Sequence, residues 1–141
     1  MKIVIFETEP RETSAFDALK RGHELVLTGQ PLRADNAAQY ADAEIVSTFI
    51  YSKFGRDVLE KLPALKLIAT RSTGYDHIDM HYCAERDIMV SNVPTYGENT
   101  VAEHVFALLL TISHRLREAM ERARSGRFTP EGLEGFDLQG K

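Results

Sequence analysis

The sequence holds a single cysteine, Cys83, in 141 residues. No disulfide can form within the chain, and a reducing compartment, the cytoplasm, fits. No apolar run approaches the ~18 residues of a membrane-crossing helix; "VFALLLTI" (105–112) falls far short. The first ten residues lack the basic and apolar pattern of a secretory leader. Positive charge is also short: 17 Lys and Arg stand against 21 Asp and Glu, a net charge of −4. Neither nucleic acid nor an anionic membrane has electrostatic support as a partner. What remains is 43% apolar and 27% charged residues, the balance of an ordinary globular protein. At this length folding buries roughly two-thirds of the unfolded surface, so a core needs no covalent staples.

Five short apolar runs rich in β-branched residues read as strands: "KIVIFE" (2–7), "HELVLT" (23–28), "AEIVSTF" (43–49), "LKLIAT" (65–70) and "IMVSNVP" (88–94). Helical patterns separate them. Ala15, Phe16 and Leu19 form a stripe that stops at Gly22, and "ADNAAQYAD" is a short, weak helix. Val58, Leu59 and Leu62 share a face that ends at Pro63, and Asp79 is placed to cap a helix running to Arg86. Strand and helix alternating in this way predict an α/β fold, a parallel sheet with helices on both faces.

After Pro94 the character changes. Thr100 and Glu103 form a capping box, and the pattern predicts one helix over 100–125. Such a helix would be roughly 37 Å long, more than one small sheet can cover. Its first half is apolar nearly all round (Val101, Val105, Phe106, Leu108, Leu109, Leu110, Ile112), which predicts burial between two bodies. The organisation expected is a sheet domain over 1–98, the helix over 99–125, and a glycine-rich linker over 126–141.

Two strand ends carry chemistry. "LKLIAT" runs into Arg71-Ser72-Thr73-Gly74. In open parallel sheets ligands bind outside the carboxyl ends of the strands. There Gly74 allows a positive φ or a close backbone approach, and successive N–H groups form a nest for an anion. Ser72 and Thr73 would add hydroxyl donors and Arg71 positive charge, so a carboxylate or phosphate is the natural guest. The same residues also suit a plain strand-to-helix turn. The second end, "NVPTYGENTVAE" (92–103), brings the Tyr96 hydroxyl and a helix N-terminus.

Other signals carry less. His77 and His81 lie four apart near Asp79 and Cys83, but His77 precedes the Asp79 cap, so a shared face for zinc is not expected. "GFDLQGK" (135–141) has P-loop letters without the strand before or the Ser/Thr after. Cys83 has acidic neighbours, which do not activate a thiolate. "RLREAMERAR" (115–124) alternates charge as a solvated helix face does.

"RSTGYDHID" (71–79) and "NVPTYGENTVAEHVFALLL" (92–110) resemble the D-isomer-specific 2-hydroxyacid dehydrogenases, with the D-lactate dehydrogenase-like branch nearest. The resemblance runs the length of the chain. It implies a flavodoxin-like, doubly wound substrate domain, a Rossmann domain for NAD, and a long helix between them that also serves a homodimer. It further implies that the backbone amides of Thr73 and Gly74 hold the carboxylate of a small 2-hydroxy or 2-oxo acid. Thr73 would also lie near the nicotinamide, Tyr96 would line the site, and Phe49 would face the substrate side chain. Arg71 would help electrostatically. The sequence departs from the family pattern in having no G-x-G-x-x-G among its nine glycines. It also has no counterpart of the family's catalytic arginine, glutamate and histidine. The expectation is therefore the substrate-binding part of such an enzyme (a truncated gene, a partial reading frame or an isolated domain) that does not turn over alone. The rival expectation is a stand-alone module that binds a small acid or oligomerises through Val105, Leu109, Ile112 and Leu116.

Overall fold

A computed structural model describes residues 1–140. The chain divides into two compact units, Met1–Tyr96 and the segment from Gly97 onward.

The first unit is built on five parallel strands: β1 (Lys2–Ile5), β2 (Glu24–Leu27), β3 (Ile45–Thr48), β4 (Leu67–Thr70) and β5 (Met89–Ser91). Their order is β2-β1-β3-β4-β5, the flavodoxin-like doubly wound order. The register puts one apolar row straight across the sheet: Val26, Val4, Val46, Ile68, Val90. Val4, Val46 and Ile68, at its centre, are fully buried. They pack in one cluster with Val58 and Leu59 of α1 (Arg56–Leu59), Tyr82 and Cys83 of α2 (Met80–Glu85), and Ala37 of a 3₁₀ turn (Ala37–Tyr40). Tyr40 closes this turn edge-on against Phe6, with ring centroids 4.8 Å apart.

Local capping follows the sequence closely at α2. Asp79 accepts a hydrogen bond from the Tyr82 amide at 2.9 Å. Arg86 leaves the end of α2 and donates to the carbonyls of Leu59, Leu62 and Pro63, satisfying the C-terminal end of α1. The segment Pro10–Lys20 departs from expectation. It is a 3₁₀ helix with no buried residue, and Ala15 and Leu19 of the expected stripe are exposed. Without a core to cover, an α-helix gains little from packing, and the tighter turn persists.

In the second unit the expected single helix is two. α3 (Glu98–Ser113) starts from Gly97 rather than from a Thr100 cap, and α4 is Leu116–Arg124. Between them Arg115 adopts a left-handed conformation, φ 49°. The break frees the Ser113 carbonyl, which accepts a hydrogen bond from the Phe136 amide at 2.9 Å. Arg115 in turn donates to the Gly132 carbonyl at 2.7 Å. The stretch expected as a linker is thus folded back on the helix junction. Gly135 permits this approach: a Cβ there would lie 1.9 Å from the Ser113 oxygen. Val101, Val105, Phe106, Leu108 and Ile112 of α3 are exposed, against the expectation of burial all round. No described helix is long and apolar enough to cross a membrane.

Candidate functional site

The cleft of interest lies in the first unit at the carboxyl ends of β3, β4 and β5, with a volume of about 400 Å³. The loop after β3 supplies Phe49, Ile50 and Lys53; the loop after β4 supplies Ser72, Thr73, Gly74, Asp76 and His77; Tyr96 comes from the segment after β5. Four residues named from the sequence, Phe49, Thr73, Gly74 and Tyr96, therefore share one cavity.

Arg71 does not line it. Its guanidinium donates to the carbonyls of Phe6 at 3.1 Å and Glu7 at 2.9 Å, and to Ser47 Oγ at 3.3 Å. It acts as a clamp on the end of β1 rather than as a charge for a ligand. Burial lowers its pKa, against Glu12 and Glu7, which raise it. The hydroxyls expected as ligand donors are also committed to the loop. Ser72 Oγ donates to the Gly74 carbonyl at 2.7 Å and sits 2.6 Å from Thr70 Oγ1. Thr73 Oγ1 donates to the Val93 carbonyl at 2.9 Å, and Asn92 Nδ2 donates back to the Thr73 carbonyl at 2.8 Å. These bonds fix the loop after β4 against the segment after β5. The backbone N–H groups of Thr73 and Gly74 are left without an acceptor among the described residues. Two successive free amides at a strand end have the geometry that can receive an anion. Gly74 is not in the positive-φ region, and a Cβ there would meet only Asp76 Oδ2, at 3.5 Å. What its missing side chain provides is an open approach to the amides.

Two groups escaped the sequence reading. Glu7 follows β1 with φ 57°, and its carboxylate accepts from Thr48 Oγ1 at 2.7 Å and from the amides of Ile50, Tyr51 and Ser52 at 2.9, 3.0 and 2.8 Å. Ser52 Oγ donates to it as well. Burial pushes this carboxyl up, but the hydrogen bonds from Ser52, Tyr51 and Thr48 outweigh it and hold the pKa below its ordinary value. Glu7 thereby shapes the loop that carries Phe49 and Ile50. Lys53 reaches the cleft because Phe54 bridges Ile78 in parallel and the Phe54 amide donates to the His77 carbonyl at 2.9 Å. No local pattern marks either residue. The signal is tertiary pairing.

His77 lies 3.4 Å by Nε2 from Thr70 Oγ1. Burial lowers its pKa; Glu7 and Asp76 raise it and Lys53 lowers it. The imidazole is therefore neutral near pH 7. His81 instead faces Glu85 at 3.2 Å, and Cys83 is buried in the core with its pKa raised by burial and by Asp79, partly offset by Arg86. No group of three metal-ligating side chains gathers among the described residues.

Residues 3–131 match the sequence signature of the D-isomer specific 2-hydroxyacid dehydrogenase, catalytic domain. The chain belongs to the D-isomer-specific 2-hydroxyacid dehydrogenase family. Its similarity to a 2-hydroxyacid dehydrogenase homolog of Zymomonas mobilis is 32% identity over the whole chain and 44% of that protein. With the D-lactate dehydrogenase of Escherichia coli it shares 30% identity, again over the whole chain and 44% of that protein. The crystal structure of a D-lactate dehydrogenase from Aquifex aeolicus, complexed with NAD and lactic acid, superposes with a TM-score of 0.89 at 30% identity. That match covers 96% of this chain and 41% of the Aquifex chain. The chain thus spans less than half the length of these relatives. Among the described residues no strand end opens on a G-x-G-x-x-G turn.

Proposed function

We propose that this chain is the substrate-binding part of an NAD-dependent D-2-hydroxyacid dehydrogenase. In this reading the amides of Thr73 and Gly74 hold the carboxylate of a small 2-hydroxy or 2-oxo acid. Phe49 and Tyr96 wall the cleft, and Thr73 borders the nicotinamide. The observation that carries the reading is the pair of free amides in a cleft that Phe49 and Tyr96 also line. The NAD and lactic acid bound to the Aquifex relative support this choice of cofactor and substrate class.

Hydride transfer needs a nicotinamide held against the substrate carbon and a group to exchange the hydroxyl proton. The cleft supplies an anchor for the acid but no cradle for the dinucleotide, so the chain alone is inactive. Purified protein mixed with NADH and pyruvate tests this by absorbance and by NADH fluorescence. The expected result is neither turnover nor saturable NADH binding. Pyruvate-dependent NADH oxidation would overturn it.

A further inference from the structure

The cleft contains a cation that the fold itself does not use. In the first unit Lys2 pairs with Asp42 and Glu24, Lys20 with Asp17, and Lys66 with Glu44, while Lys61 donates to the Ala34 carbonyl. Lys53 alone among these lysines has no side-chain partner among the described residues, and it lines the cleft. Its backbone is fixed there: the Lys53 amide donates to the Leu32 carbonyl at 3.2 Å, and the next residue bridges Ile78. The neighbouring wall is His77, whose pKa Lys53 lowers. The acidic groups nearby are Asp76, beside Gly74, and Asp79, which lines a neighbouring cavity together with Lys53. No ion pair forms between Asp76 and Lys53, so neither neutralises the other by contact.

We infer that Lys53 is a specificity-determining residue that favours 2-oxo or 2-hydroxy acids carrying a second, distal anionic group. The inference rests on the carboxylate-nest reading given above. With the reacting carboxylate on the amides of Thr73 and Gly74, the loop runs on through Asp76 to His77, and the side chain of a bound acid projects toward the wall formed by Phe49, Lys53 and His77. A methyl group there meets Phe49 and leaves the ammonium in water. A distal carboxylate meets the ammonium and gains a charge-assisted contact. The neutral imidazole of His77 adds no charge that would compete with this contact.

The test uses the chain itself, with amide NMR to locate binding and calorimetry to measure it. The probes are 2-oxoglutarate and 2-oxopentanoate, which share a five-carbon chain and differ in the distal carboxylate. The expected result is that both acids shift the Thr73 and Gly74 amides, with 2-oxoglutarate about fivefold tighter, the scale of a partly exposed ion pair. The ratio should fall to about one in Lys53→Met and be kept in Lys53→Arg. Equal affinities in the wild type, or a ratio that Lys53→Met leaves unchanged, would overturn the role of Lys53 while leaving the nest intact. If neither acid moved the Thr73 and Gly74 amides, the site reading would fall and the inference with it.

Discussion

Glu7 holds a left-handed conformation, φ 57°, that costs a residue with a side chain on the order of 1 kcal/mol. Its carboxylate offsets that cost by gathering donors from Thr48, Ile50, Tyr51 and Ser52. The folded pKa lies below the ordinary value of 4.5. The stabilisation is therefore complete above the unfolded pKa and is lost as pH falls through the folded one. Glu7→Gln keeps the shape but turns an amide NH2 toward donors, and should cost about 2 kcal/mol at pH 7. Denaturant unfolding at pH 7 and at pH 3 checks this. The gap between wild type and variant should narrow on acidification, and an unchanged gap would show that the charge is not the source. Glu7 could not be singled out in the sequence, because its partners lie more than forty residues away. Thr73 and Gly74 could, because a strand run and the turn that follows it are contiguous. Arg71 looked like a ligand charge for the same reason of proximity, and only the folded chain shows the Phe6 and Glu7 carbonyls that hold it.

Among the elements, the strands were legible because each is a short β-branched run bounded by turn residues, and the Asp79 cap because its partner is three residues away. The break between α3 and α4 was not legible. "TISHRLRE" (111–118) contains neither glycine nor proline and favours continuing as a helix. What stops it are contacts from the tail: Phe136 on the Ser113 carbonyl and Gly132 on Arg115. Gly135→Ala tests this cause. The added methyl has no room against Ser113, so the tail should leave the junction and the Phe136 amide should lose hydrogen-exchange protection. Retained protection at Phe136 would mean that the break is intrinsic to α3 and α4.

For the whole molecule, the sheet unit buries its core, while α3 leaves a mostly apolar surface exposed. Exposed apolar surface of that extent marks an interface. We propose that a second copy covers it, which light scattering should show as a dimer at micromolar concentration. A monomer at every concentration would contradict that. The central claim, however, concerns the cleft. The most direct measurement is an amide NMR titration of the labelled chain with pyruvate. The account predicts saturable shifts centred on the Thr73 and Gly74 amides, with smaller ones at Phe49 and Tyr96. Saturable binding that leaves those two amides still, or no binding at millimolar pyruvate, would contradict it.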